Sequence, residues 1–393
     1  VKITRVQAKK ILDQLGKPSS RGNLVSAIGD SITANNGDAV RKQCKGYLNW
    51  AALLSDQRFR IAPHFATPGF TTERILRESL SALLDSAFRP DYCVVLGGTN
   101  DVGNALPVPS ILKNLEEIYT GLLNAGIGPI AATIPPRDGA SAFQQTNIVN
   151  LNTGIKLLAA KLAIPVVDFH EALTDPATAN FYPGYATDQI HPGTLGARAM
   201  GKALADVLGS LVPAWKPPLS VAANDPANLI ANPLFLVDSN SDGTPDRWTV
   251  HAAAGATFSM ETPAAGEPVS GKWFKCTRAS DSGSTTTYRI ATLTGVNPGD
   301  RIALGFKFKC SLEAAPSGKV GMMLYKDKAV TTQIIGPLYD WDRDTEAHTV
   351  YREFTIPADV TALQLDVNFS GAGTVWLAQM TMRNLTTAGL ADL

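Results

Sequence analysis

The chain lacks any excess of charge. Its 35 lysines and arginines meet 35 aspartates and glutamates, for a formal net charge of zero at pH 7. A binder of nucleic acid or of anionic membranes needs a basic face, so this balance excludes the usual electrostatic footprint of either and points to a neutral partner. Long apolar runs are missing too: no stretch approaches the ~20 residues that span a bilayer. The opening Val1-Lys2-Ile3-Thr4-Arg5 has no signal-peptide core. Because the first residue is Val1 rather than Met, removal of an upstream segment stays open, and an extracellular or virion-associated location is the expectation. Cysteine is scarce. Cys44, Cys93, Cys276 and Cys310 show no CxxC spacing and no clustering with histidine, which argues against a zinc or dithiol site. They are expected as buried thiols. Cys276 and Cys310 both fall in strand-like segments, so a bridge between them stays open.

At 393 residues and 45% hydrophobic content, the chain exceeds an ordinary domain and can build two cores. Residues 22–212 alternate short apolar runs with amphipathic stretches. Leu24–Ile28, Arg60–Phe65, Asp91–Leu96, Pro129–Thr133 and Pro165–Asp168 read as strands. Gly46–Ser55, Thr72–Ser86, Ser110–Asn124, Asn147–Leu162 and Thr194–Leu211 read as helices. This alternation predicts an α/β domain, a parallel sheet with helices on both faces, in which ligands sit beyond the carboxyl ends of the strands. The proline-rich Val212–Pro218 ends the helical periodicity, and residues 213–223 read as a linker. About nine short alternating segments follow, split by Gly, Pro, Asn and Asp, which predicts an all-β sandwich or jelly roll over residues 224–393. Residues 1–21, with Val6, Ile11 and Leu15, read as a short helical lead-in.

Gly29-Asp30-Ser31-Ile32-Thr33 stands where the first apolar run ends, and Asp188-Gln189-Ile190-His191 places an acid and an imidazole three residues apart. A serine hydroxyl is a poor nucleophile at neutral pH. It needs a base within hydrogen-bond reach and a carboxylate to fix that base's tautomer. Two further blocks, Pro68-Gly69-Phe70-Thr71-Thr72 and Gly97-Gly98-Thr99-Asn100-Asp101, offer donors for an oxyanion. Gly69 leaves its N–H unshielded, and a donor aimed at a tetrahedral oxyanion is worth ~3 to 4 kcal/mol. In this order the four blocks resemble the SGNH (GDSL-like) hydrolases, over roughly residues 22–212. The resemblance implies a three-layer α/β/α, flavodoxin-like domain that needs no cofactor for catalysis. It makes Ser31 the nucleophile, His191 the general base and then acid, and Asp188 the residue that orients His191. The N–H groups of Ser31 and Gly69 and the amide of Asn100 form the oxyanion hole. Where the family has Asn-x-Gly in its second block, this chain has His64, Ala66 and Pro68.

Each residue has a plainer reading when taken alone. Gly-Asp-Ser is a common turn, Asn100-Asp101 a turn or cap, and Asp188 a cap for the helix after Pro192. Asp30 reads as structural, bonding nearby backbone. Asp168 and His170 make a second acid–histidine pair outside the family's blocks. His64 either lines the pocket or packs structurally, and Arg137 either reaches the cleft or faces solvent. Downstream, Asn228–Pro233 and Asp238–Trp248 resemble the opening of jelly-roll carbohydrate-binding modules, with Val375-Trp376-Leu377 as the closing strand. Asp238, Asn240, Asp242 and Asp246, with Gly243 at the turn, match the first part of a calcium loop. Thr249 stands where an EF-hand has its bidentate Glu, so a structural calcium site and a solvated acidic turn both stay open. Trp273, Tyr288, Tyr325, Tyr339, Trp341 and Trp376 either stack on sugar rings or fill the core. The expected function is a serine esterase that removes acetyl or other short acyl groups from a polysaccharide. Its partner is then an acylated polysaccharide, with no nucleic acid and no membrane. A lipid or aryl esterase of the same fold is one alternative, and an inactive polysaccharide-binding adhesin or phage tail protein is another.

Overall fold

The computed structural model describes residues 22–37, 43–313, 318–326, 333–360 and 362–387, so the lead-in over 1–21 lies outside the described residues. The chain divides into two compact units, the first reaching Trp215 and the second running, in the main, from Lys216.

In the first unit β1 (Leu24–Gly29), β2 (Arg60–Ile61), β3 (Phe65–Ala66), β4 (Tyr92–Leu96), β5 (Gly128–Ala132) and β6 (Val166–Val167) form an all-parallel sheet. Its order is β2-β1-β4-β5-β6, and β3 also pairs with β1. Every residue of β4 and β5 is buried, as parallel strands covered on both faces require. The helices are α1 (Ser31–Ala34), α2 (Tyr47–Leu54), α3 (Thr72–Arg74, a π turn over Ile75–Ser79, then Leu80–Asp85) and α4 (Thr99–Gly103). They continue with α5 (Val108–Asn124), α6 (Ala142–Leu162), α7 (Phe169–Leu173) and α8 (Thr194–Leu211). One expected strand, Arg60–Phe65, is instead two short ones, because Pro63 between them has no N–H to give the β1 ladder. Helix α6 starts five residues earlier than its periodicity suggests. Ser141 accepts the Gln144 N–H while the Gln144 side chain accepts the Ser141 N–H, a capping box that fixes the start.

The second unit is all β. Its strands are β7 (Thr249–Ala252), β8 (Ala256–Glu261), β9 (Trp273–Arg278), β10 (Thr286–Leu293), β11 (Arg301–Ser311), β12 (Lys319–Lys326), β13 (Gln333–Trp341), β14 (Thr345–Thr355), β15 (Leu363–Ser370) and β16 (Gly373–Asn384). Two antiparallel sheets result, β13-β12-β15-β10-β7 and β14-β11-β16-β9-β8. Strands β9 to β16 follow the order of an eight-stranded jelly roll, and β7 and β8 widen one sheet each. Strand β13 was not expected, because Gly336-Pro337 interrupts it. It is an edge strand, where a residue without an N–H is tolerated, and its pairing with β12 shifts register repeatedly.

All four cysteines are free and buried, so the Cys276–Cys310 bridge does not form. Both residues pair with Val375 of β16, one from each side. Strands two ladder spacings apart stand roughly 9.5 Å from each other, beyond disulfide reach. The end of the expected linker is fastened to the sandwich: the Ser220 N–H donates to Thr381 Oγ1 at 2.8 Å and its carbonyl accepts from Gln379 Nε2 at 3.0 Å.

Candidate active site

Asp30 follows β1 and caps α1, its Oδ1 accepting the Ile32 N–H at 3.0 Å. Ser31 therefore opens α1 at the carboxyl end of the sheet. Its Oγ lies 2.8 Å from His191 Nε2, and His191 Nδ1 lies 2.8 Å from Asp188 Oδ2. Asp188 Oδ1 accepts the N–H groups of Ile190 and His191, each at 2.8 Å. An ionised carboxylate can only accept, so the pairing assigns the ring proton to Nδ1 and leaves Nε2 to accept from the serine hydroxyl. Partial burial pushes the Asp188 carboxyl up, but the two backbone N–H groups and the imidazole outweigh it and hold the group below the usual carboxylate range. The loop is tied at both ends, with Thr187 N–H to the His191 carbonyl (2.9 Å) and Gly193 N–H to the Tyr185 carbonyl (2.7 Å).

Gly69 follows β3 with φ +81°, in open space, a conformation that costs glycine little. Gly98, at φ +122°, turns the chain from β4 into α4 and so places Asn100 in the first turn of that helix. Asn100 Nδ2 donates to the Phe70 carbonyl at 2.9 Å, which brings it beside Gly69 and leaves its second N–H for another acceptor. A clamp that the sequence reading did not single out holds these two segments together. Buried Asp101 accepts from Thr72 Oγ1 at 2.6 Å and from the Thr72 N–H at 2.9 Å, and Asn114 Nδ2 donates to the same Thr72 hydroxyl at 3.0 Å. Burial raises the Asp101 pKa and the Thr72 bonds oppose it. No sequence signal pairs the Asp that follows Asn100 with the Thr that opens α3, because the two stand 29 residues apart.

A model of the GDSL-like lipase/acylhydrolase family matches residues 27–199, an interval that contains Ser31, Gly69, Asn100, Asp188 and His191. Residues 27–199 are a GDSL-like lipase/acylhydrolase domain. Among solved structures, similar chains include a GDSL-like lipase from Bacteroides thetaiotaomicron, at 19% identity over 52% of this chain and 96% of that one, with a TM-score of 0.38. A member of the lipolytic G-D-S-L family from Veillonella parvula aligns at 18% identity over 47% and 98%, with a TM-score of 0.40. A catalytic mutant of an acetylxylan esterase from Geobacillus stearothermophilus aligns at 17% identity over 51% and 100%, with a TM-score of 0.41. No curated protein matches the chain.

The other polar residues singled out in the sequence of the GDSL-like domain lie in structural settings. Asp168 caps α7 through the Glu171 N–H (3.0 Å), accepts from Thr133 Oγ1 (2.8 Å) and pairs with Lys156. Its histidine neighbour, His170, donates its backbone N–H to Thr133 Oγ1 at 2.9 Å, its ring Nδ1 is buried without a partner, and burial lowers its ring pKa. His64 is half-buried and packs against Gly37, where a Cβ would stand 2.4 Å from the ring; burial holds its pKa down. Asp30 Oδ2 is likewise buried without a partner, and desolvation pushes the carboxyl up to about 7.

In the sandwich, the acidic loop bonds to itself. Asp238 accepts the N–H groups of Asp242 (3.2 Å) and Gly243 (3.0 Å), Asp242 that of Thr244 (2.7 Å), and Asp246 that of Ser239 (3.0 Å). Asn240 Nδ2 donates to Asp242 Oδ2 at 2.9 Å. Among the described residues no three His, Cys, Asp or Glu side chains are grouped to hold a metal ion. Trp273, Tyr288 and Trp341 are core residues. Half-buried Trp376 donates to Glu261 at 3.0 Å, with the Lys275 and Lys309 ammonium groups 5.7 and 5.2 Å from its ring centroid. The side chain of Tyr339 lies outside the described residues.

Proposed function

We propose that the GDSL-like domain removes acetyl or another short acyl group from a polysaccharide by way of an acyl-enzyme. The observation that carries this reading is the continuous relay from Ser31 Oγ through His191 to Asp188, both links at 2.8 Å. Ser31 Oγ attacks the ester carbonyl as His191 Nε2 takes its proton, and Asp188 stabilises the imidazolium that forms. The oxyanion is met by the N–H groups of Ser31 and Gly69 and by the free N–H of Asn100. His191 then protonates the departing sugar hydroxyl. Water attacks the acyl-serine with His191 again as base, releasing the acid and restoring Ser31. The substrate class draws support from the exposure of Thr67, Pro68 and Gly69 beside the nucleophile, which leaves room for a polymer, and from the jelly roll that follows.

The test is acetate release from a panel of acetylated polysaccharides, beside p-nitrophenyl acetate and a long-chain ester, with Ser31→Ala as control. Serine-dependent release from a glycan with poor long-chain turnover is the expected result. A long-chain preference would replace it with a lipid esterase, and the absence of serine-dependent turnover on every ester with a binding protein.

A further inference from the structure

Arg137 follows β5 in Pro135-Pro136-Arg137-Asp138, at the same carboxyl end of the sheet as Ser31. It is half-buried, and its guanidinium has no hydrogen bond or ion pair among the described residues. Taking a cation partly out of water without a partner is unfavourable, so an unmatched guanidinium in a wall of a site is poised for a ligand. Its neighbours on both sides adjoin the segments that carry Asn100, Asp188 and His191. Nη1 lies against Gly103, which closes α4 one turn beyond Asn100 on the same side of the helix; a Cβ at Gly103 would stand 3.2 Å from that nitrogen. The next residue, Asp138, donates its N–H at 2.9 Å to the carbonyl of Gln189, between Asp188 and His191, and accepts the Phe181 N–H at 2.8 Å. Two and three residues after Arg137, Gly139 and Ala140 line an open cleft of about 630 Å³ together with the amides of Gln145, Asn150 and Asn180, and no ionisable side chain lines it.

We propose that Arg137 is the carboxylate-binding residue of this active site, and that the preferred substrate is an ester on or beside a sugar bearing a carboxylate, a uronic acid, whose ring occupies the adjoining cleft. The inference rests on the esterase reading and narrows its substrate. The planar fork of arginine matches a carboxylate in two parallel hydrogen bonds. One guanidinium beside a cleft that no ionisable side chain lines balances one negative charge, which favours a carboxylate over a doubly charged phosphate monoester. The uncharged amides suit the hydroxyls of a sugar ring.

The experiment compares kcat/KM on O-acetylated oligosaccharides of galacturonic, glucuronic and mannuronic acid with the same oligosaccharides converted to primary amides, which keep the shape and lose the charge. Wild-type protein is expected to favour at least one acid over its amide by about tenfold or more, with the preference shrinking as salt rises. Arg137→Gln brings that ratio close to one, and Arg137→Lys retains part of it. An equal rate on every acid and amide, or a preference that survives in Arg137→Gln with its fold intact by circular dichroism, would overturn the proposal. Binding of deacetylated uronate oligosaccharides to Ser31→Ala, followed by calorimetry, separates this inference from the reading beneath it. Binding weakened about tenfold by adding Arg137→Gln upholds the carboxylate site even where no ester is turned over. Serine-dependent turnover without any dependence on Arg137 leaves the esterase standing and removes the carboxylate site.

Discussion

In the jelly roll, Arg278 is fully buried, and its guanidinium donates to the carbonyls of Gly371 (2.7 Å) and Phe369 (3.2 Å) and to the hydroxyls of Thr286 (2.9 Å) and Ser282 (3.1 Å). Arg289 grips Asp366 through two bonds of 2.7 Å, and Arg383 pairs with Asp225. In the GDSL-like domain Arg137 has no such partner, Asp30 keeps a buried oxygen unbonded, and Asn100 commits one amide N–H to Phe70 and leaves the other available. Buried polar groups that are fully matched hold a fold in one arrangement; those left with unused capacity are where a ligand or a reaction can act.

The largest test of this contrast is at the triad. Asp188→Asn removes the acceptor that fixes the imidazole tautomer and is expected to lower kcat about 10⁴-fold, with thermal stability close to wild type. Next comes the sandwich. Asp366→Ala strands the mostly buried Arg289 charge and is expected to cost about 3 to 5 kcal/mol in denaturant unfolding of the second unit. A loss below about 1 kcal/mol would show the pair to be as dispensable as an exposed one. Asn100→Ala is expected to lower kcat by about 10²- to 10³-fold while changing KM little. Arg137→Gln, by contrast with Asp366→Ala, has no protein partner to strand, and its melting is expected to stay within roughly 0.5 kcal/mol of wild type.

Asp30 sharpens the same comparison through pH. Its folded pKa, about 7, stands above the ordinary 3.8, so the folded protein holds this proton more tightly than the unfolded chain. Stability from this group is therefore full below about pH 4 and falls as pH rises towards 7, at no more than about 1.4 kcal/mol per pH unit. Asp30→Asn is expected to flatten this part of the pH dependence, so that its melting temperature gains on wild type between pH 4 and 7. A constant difference across that window would mean that the carboxyl is ionised throughout.

Much of the site was legible because its chemistry is carried by short blocks at strand ends. Gly29-Asp30-Ser31 and Asp188 to His191 each need only neighbours within one turn of chain to take their shape. The Asp101–Thr72 clamp was not, since it joins segments 29 residues apart and neither residue type announces a long-range bond. The jelly roll was visible as a run of strands, but β13 was hidden by Gly336-Pro337 and by its place at a sheet edge. Whether two strand cysteines face one another depends on strand order, and β16 between them settled that.

The most direct measurement is labelling with a fluorophosphonate probe, whose phosphorus is attacked by an activated serine with loss of fluoride, followed by peptide mapping. One label per chain on Ser31 is predicted, abolished in Ser31→Ala and strongly slowed in Asp188→Asn. No label, or a label on a different serine that persists in Ser31→Ala, would contradict the account.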